Sequence, residues 1–267
     1  MSTLAVTRVG TGEPLVLLHA LGSSRQSWDP VLAALSELFD VLAVDLPGCG
    51  DSPPLDQAVE PAPAALARAV AELLDDLGID APHVAGNSLG GWVALELAGL
   101  RPVSSLTLLS PAGLWRRDTP LYCWVSLRLT RFLATRAGGV LRRLVRSRPG
   151  RALVLGQAFG HPTRMTPGAA LAAVDAMASS RGFDAMLQAT RRRRFRAGRP
   201  LDVPVTVAFG SRDRIFFRRA WRRLDELPPQ TRRGFLPGCG HLPMSDDPAA
   251  VAALLEAASL SGQRATT

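Results

Sequence analysis

The 267-residue sequence has no lysine, one tyrosine, four histidines and three cysteines. Cys49, Cys123 and Cys239 are too few and too scattered for a disulfide framework, and they lack zinc-ligand spacing. No stretch is long and apolar enough to span a bilayer, and Met1 to Gly10 lacks the apolar run of a secretory signal. These absences lead to the expectation of a reducing, cytoplasmic setting. A chain of this length buries enough surface to fold without a metal or a cross-link. The missing lysine bears on the charge. All 31 basic residues are arginines, set against 23 Asp and Glu for a formal net charge of +8. That usage reflects a coding bias toward Arg, Ala, Gly and Pro, so the excess does not mark a nucleic-acid-binding protein. Many of the arginines fall between Arg116 and Arg199, including the run Arg191–Arg194. A solvated helix face accounts for them. The sharper alternative is an anionic surface, or an acidic substrate steered by their field.

What is present is an alternation. Short apolar runs at Leu4–Val9, Pro14–His19, Asp40–Asp45, His83–Ser88, Ser105–Ser110 and Val203–Gly210 read as strands bounded by turn residues. Helical patterns at Trp28–Leu38, Ala64–Leu77, Leu89–Gly99, Arg218–Leu227 and Pro248–Leu260 separate or follow them, and Ser261–Thr267 reads as a disordered end. Strand–helix alternation predicts a parallel sheet with helices on both faces, and chemistry at the carboxyl ends of its strands. From about Gly113 to Pro200 the rhythm stops. That stretch reads as helices alone, for example Tyr122–Ala137 and Ala169–Ser180, inserted where they would cover the site as a lid.

Gly86-Asn87-Ser88-Leu89-Gly90 carries the strongest chemical signal. It follows the strand at His83 and precedes a helix, the context in which a G-x-S-x-G turn exposes a nucleophilic hydroxyl. Small residues two before and two after let strand and helix approach, and the helix N-terminus offers N–H groups to an oxyanion. The bland alternative is a serine that merely caps the helix. A serine nucleophile needs a base. His83 starts its strand at the far end of the sheet, His161 lies in the insertion, and His19 ends a strand where it can hold a loop. His241, in Pro237-Gly238-Cys239-Gly240-His241-Leu242-Pro243, stands in a turn before the last helix and can reach Ser88. Asp213, directly after the strand ending at Gly210, is the candidate to orient the imidazole, and the chain order Ser, Asp, His fits. Asp202 sits at the wrong end of that strand, and Asp246 and Asp247 suit the mouth of the final helix. The loop His19-Ala20-Leu21-Gly22 suggests the Leu21 and Leu89 backbone N–H groups as an oxyanion hole. Asp45 to Ser52 reads as a structural turn held by Asp45.

Together His19–Gly22, Asp45–Ser52, Gly86–Gly91, Gly210–Asp213 and Gly238–Pro243 resemble the α/β-hydrolase superfamily, in its single-domain branch with a helical cap. The resemblance covers all but the insertion. It implies a mostly parallel α/β-hydrolase sheet of eight strands, or of seven here, because only one strand is evident before Pro14. Residues 1–112 and 201–267 would form the core and residues 113–200 the cap. Implied too is an acyl-enzyme on Ser88 from an ester, thioester or lactone, with His241 and Asp213 as partners and no cofactor or metal. A serine nucleophile disfavours epoxide opening and halide displacement. Two departures matter: Ala20 stands where relatives carry glycine, and Asn87 is shared with the branch that hydrolyses carbon–carbon bonds of diketones. That chemistry, and a non-catalytic small-molecule-binding protein, are the alternatives. The insertion's Trp115, Trp124, Phe159 and Phe183 suit an uncharged or acyl-bearing small substrate, or else pack within the cap. Its Tyr122–Arg148 stretch, basic and apolar by turns, can also lie on an anionic membrane.

Overall fold

A computed structural model describes residues 4–116, 118–198, 200–216 and 223–263. Its sheet grows from runs that alternate between two buried faces. Leu15 and Leu17 of β2 (Glu13–Leu18) enter one core, and Val16 and Leu18 the other. Val41 and Ala43 of β3 (Phe39–Val44) share the first core, and Leu42 and Val44 the second. A strand buried on both faces needs helices on both, and the chain supplies them. α1 (Asp29–Leu35) and α9 (Pro248–Gln263) cover one face through Trp28, Val31, Leu35, Val251 and Leu255. α2 (Pro63–Asp76) and α3 (Leu89–Leu100) cover the other through Leu66, Val70, Leu74, Trp92 and Val93.

The remaining strands are β1 (Val6–Val9), β4 (His83–Asn87), β5 (Ser105–Leu109), β6 (Val205–Gly210) and β7 (Arg232–Leu236). Their spatial order is β1-β3-β2-β4-β5-β6-β7, a seven-stranded sheet with β1 antiparallel to β3 and every other pair parallel. Seven strands therefore settle the choice between seven and eight. The order around β2 and β4 puts the carboxyl ends of β2, β4, β5 and β6 side by side on one edge. β7 was not among the apolar runs in the sequence, because Arg232 and Arg233 are exposed at this end of the sheet and only Leu236 is buried.

Among the described residues, five α-helices come between β5 and β6: α4 (Leu121–Arg136), α5 (Gly138–Leu144), α6 (Arg148–Leu155), α7 (Pro167–Ser179) and α8 (Phe183–Thr190). α5, α6 and α7 and the turns beside them share a small apolar core, with Val145, Leu155, Phe159, Met165, Ala170 and Val174, whereas Cys123 of α4 and Met186 of α8 join the main core. The expected helix at Arg218–Leu227 lies partly outside the described residues, and its described end, Arg223–Leu227, is turn and irregular chain. α9 continues to Gln263, past the point where the sequence suggested disorder, and residues 264–267 lie outside the described residues.

Helix and sheet meet most closely at α3. A Cβ on Gly90 would run into the Leu18 carbonyl and approach that of His19 at 2.7 Å, and backbone cannot yield as a flexible side chain can. Gly90→Ala should therefore destabilise the protein by about 3 kcal/mol, the upper end of ordinary overpacking, read as a lower urea midpoint at unchanged m-value.

Candidate active site

Ser88 joins β4 to α3 at φ 54° and ψ −112°, a conformation that non-glycine residues seldom hold. Its N–H donates to the Leu109 carbonyl at 2.9 Å, and its carbonyl accepts from Ala112 N at 2.8 Å and Trp92 N at 3.2 Å. The backbone is thus fixed from both sides. Ser88 occupies the N-cap position of α3, yet its side chain makes no capping hydrogen bond. The hydroxyl is left for other work, which removes the reading of Ser88 as a mere cap.

His241 is buried, and its Nδ1 stands 3.0 Å from Asp213 Oδ2. A carboxylate can only accept, so Nδ1 carries the proton and Nε2 is the nitrogen available as a base. Asp213 is itself pinned: its Oδ1 accepts from Ile215 N at 2.9 Å and Phe216 N at 2.8 Å. Burial alone would raise this carboxyl. His241, the Phe216 amide and the Ser110 hydroxyl outweigh burial and bring it down to about 2. The Phe216 ring stacks edge-to-face on the imidazole, with centroids 4.8 Å apart, and Trp115 backs Phe216 at 5.9 Å.

The other histidines fall away as bases. His83 bridges Ser105 Oγ and Glu13 Oε2 at the opposite end of the sheet. His161 faces Arg212 at 3.3 Å. His19 is fully buried; burial pushes its imidazole down, and its Nε2 accepts from Leu46 N at 3.0 Å. Its Nδ1 therefore donates to the Ala20 carbonyl at 2.8 Å, which ties the β2 loop to the turn after β3. That turn is organised by Asp45, whose carboxylate takes Arg25 N at 2.6 Å, Asp51 N at 3.0 Å and the Arg25 guanidinium. Ala20 has no positive φ; the left-handed position of this loop is Gly22, at φ 72°. The methyl in place of the usual glycine is therefore accommodated. Among the described residues, no hydrogen-bond acceptor takes the N–H of Leu21 or of Leu89.

One cavity of about 360 Å³ joins these groups: Ser88, His241, Leu21 and Leu89 line it together. Every helix from α4 to α8 contributes to its walls, for instance Leu127, Leu141, Leu155, Met177 and Leu187. Of the four aromatic candidates, Trp115 and Phe159 line it, whereas Trp124 and Phe183 do not. Trp124 lies between the guanidinium groups of Arg128 and Arg191, with centroid distances of 4.8 and 4.5 Å. Phe183 is fully buried beneath Arg131. Among the described lining residues, none is an arginine and Asp29 is the one carboxylate. No cluster of three His, Cys, Asp or Glu side chains that could hold a metal occurs among the described residues.

A profile described as the alpha/beta hydrolase family matches residues 15–254. The chain belongs to that family. An uncharacterized protein of Mycobacterium bovis is 29% identical over 259 residues, covering 90% of this chain and 73% of that protein. The dihydrolipoyllysine-residue acetyltransferase component of the acetoin cleaving system of Pseudomonas putida is 44% identical over 108 residues, or 39% of this chain. That match spans only 28% of the Pseudomonas protein's length. Among solved structures, a thermophilic esterase from Thermogutta terrifontis shares the fold with a TM-score of 0.73 at 22% identity, over 97% of this chain and 93% of that one.

Two residues of this alpha/beta hydrolase have positioning roles that the sequence did not reveal. Asn87 Nδ2 donates to the His241 carbonyl and the Leu109 carbonyl, each at 2.9 Å, and so anchors the His241 backbone to β5. Asp246 reaches beyond the final helix. Its carboxylate accepts from Gly160 N at 2.7 Å, His161 N at 2.7 Å and Gly240 N at 2.8 Å, which clasps the loop after α6 to the loop of His241. Asp247 behaves as expected and accepts from Ala250 N at the start of α9. Side chain-to-backbone clasps of this kind leave no periodic trace in a sequence.

A carboxyl held low stabilises the folded state above the ordinary carboxylate range of about 4 and loses that contribution as pH falls through its folded value. The stability gap between wild type and Asp213→Asn should therefore be widest near neutrality and close between about pH 4 and pH 2, as followed by urea midpoints. Asp246→Ala should lower stability by at least about 2 kcal/mol, the scale of a single hydrogen bond to a charged group, since three are lost together. Amide exchange should quicken at Gly160, His161 and Gly240, and unchanged exchange there would refute the clasp.

Proposed function

We propose that the chain is a serine hydrolase that cleaves an ester, thioester or lactone through an acyl-enzyme on Ser88. The observation that carries this reading is one cavity shared by a Ser88 hydroxyl that makes no capping bond and a His241 whose Nδ1 is held by Asp213. His241 Nε2 takes the Ser88 proton as Oγ attacks the substrate carbonyl carbon. The carbonyl oxygen gains negative charge and meets the Leu21 and Leu89 N–H groups, while Asp213 offsets the charge on the imidazolium. The imidazolium then gives its proton to the departing alcohol or thiol. Water, deprotonated by the same nitrogen, attacks the acyl-serine, and the imidazolium returns that proton to Ser88 Oγ as the acyl–oxygen bond breaks and the acid leaves.

The walls support an uncharged or acyl-bearing small molecule. The described lining residues include no arginine, and an anionic substrate head group facing them would lose its hydration without gaining a countercharge. The volume lies near the lower end of the ordinary ligand-pocket range of about 300–1,000 Å³. Gln157 adds one polar mark: its Nε2 is buried on the cavity wall with no hydrogen-bond partner among the described residues, and so offers a donor to a substrate oxygen. Residues 113–200 act as the cap in this reading, since they supply the walls facing Ser88, and residues 1–112 and 201–267 act as the core. Asn87 gives no weight to carbon–carbon chemistry, because its amide hydrogens are already engaged by two backbone carbonyls.

Turnover of p-nitrophenyl esters of increasing acyl length, with a fluorophosphonate mapped by mass, tests the proposal. The label should fall on Ser88. Ser88→Ala and His241→Ala should each reduce kcat by roughly four to six orders of magnitude. A folded protein that neither labels nor turns over would instead favour a binding role.

A further inference from the structure

α4 has two apolar faces, and only one of them is covered. Cys123, Leu127, Thr130 and Ala134 recur at helical spacing and line the cavity that holds Ser88. Leu121, Val125, Leu129 and Phe132 recur at the same spacing on the far side, joined by Tyr122 and Leu133, and all six are exposed. Leu121 is 70% and Phe132 57% accessible. Eight of the fourteen large apolar side chains that stand exposed among the described residues fall between Leu121 and Leu153. Exposed leucine is ordinary when scattered, but a stripe along one helix is not.

Along the chain the charge around the stripe is of one sign, and among the described residues the carboxylates that meet its arginines in space are Asp184, 3.9 Å from Arg131, and Asp175. Residues 119–174 contain nine arginines and no aspartate or glutamate. Arg128, Arg136, Arg142, Arg143, Arg146 and Arg148 are all exposed. Among the described residues, Arg142 alone of these six meets a carboxylate, that of Asp175 at 2.6 Å. The other five meet no carboxylate among the described residues, Arg128 lying over the Trp124 ring, and they present positive charge beside an apolar ridge. A second copy docking through this face would bring like charges together, which disfavours a homodimer there. A convex helix with protruding Leu, Phe and Tyr, flanked by arginines, instead matches a surface with acyl chains below and anionic head groups above.

We propose that the outer face of α4 docks the protein on an anionic phospholipid bilayer, with the helix lying in the interface. Among the described residues no helix is long and apolar enough to cross a membrane, so the attachment is peripheral and reversible. Leu121, Val125, Leu129 and Phe132 enter the acyl boundary, and the arginines on α4 and α5 remain at head-group level. The same helix separates the bilayer from the cavity. The inference concerns a surface and requires no role for Ser88.

Co-sedimentation of the full chain with ether-linked phospholipid vesicles tests it, since ether lipids offer no ester and binding is read apart from turnover. We expect binding to phosphatidylcholine vesicles containing phosphatidylglycerol, little binding to phosphatidylcholine alone, and weakening as salt is raised. The double variant Leu129→Ser with Phe132→Ser, changed only at exposed positions, should keep its circular dichroism and melting temperature yet bind at least about tenfold more weakly. Arg136→Ala with Arg143→Ala should weaken binding to the anionic vesicles by a further factor of about five per charge. Equal binding to both vesicle types, or full binding by the serine variant, would overturn the proposal. So would a dimer in ultracentrifugation that the serine variant dissolves, because the face would then be an interface between copies.

Discussion

The backbone at the carboxyl end of the two central strands is the constraint on which the site depends. Among the described residues, the only non-glycine positions with positive φ are Ser88, at 54°, and Ser110, at 44°. Asn87 pairs with Leu109 in the β4–β5 register, so these two serines follow directly on neighbouring strands. Conformations of this kind cost on the order of 1–3 kcal/mol each and persist only where surrounding structure over-determines them. Here that structure is evident. Ser88 N is held by Leu109 O, Ser110 N by Ala208 O, and the glycines around Ser88 let α3 sit directly against β2. One strained residue bears the candidate nucleophile, and the other sends its hydroxyl toward Asp213. The adjacent strand ends therefore hold both ends of the proposed relay, with His241 brought in by the loop after β7.

That loop needs its own support, because it follows an edge strand whose exposed arginines contribute little to a core. Three contacts supply it. Asn87 holds the His241 carbonyl from the strand that carries Ser88, Asp213 holds the ring, and Phe216 packs on the ring face. Asp246 then ties the same loop to the segment after α6. The geometry of the base is thus coupled to the helical insertion through one carboxylate, and a shift of the insertion would be felt at His241 without any change at Ser88.

What was legible in the sequence is what repeats or what chemistry forces into a fixed spacing. Strands buried on both faces showed as apolar runs, α2 and α3 as helical periods, and Gly86 to Gly90 as a tight strand-to-helix turn. The order Ser88, Asp213, His241 followed from their places after strands. β7 was illegible because an edge strand such as Arg232-Arg233-Gly234 has no apolar alternation to reveal. The aromatic residues of the insertion were legible as a group but not one by one. Composition cannot say that Phe159 faces the cavity while Trp124 lies between two guanidinium groups and Phe183 lies under a third. Direction of a side chain depends on helix phase and on what packs across from it, and within the insertion that is set by five helices at once.

α4 shows why phase matters. Read as a string, Leu121 to Arg136 is basic and apolar by turns, which does not tell its apolar faces apart. In the fold the two apolar faces have different environments. One closes a cavity whose described lining holds no arginine, and the other stands in solvent among arginines of which Arg131 and Arg142 meet carboxylates. A chain with 31 arginines keeps every described one out of its cavity wall while crowding nine of them, without a single acidic residue, into the stretch that forms the wall's outer side. Coding bias explains why each cation is arginine. It does not explain why the acidic residues avoid this one segment, whereas the proposed docking on an anionic surface would.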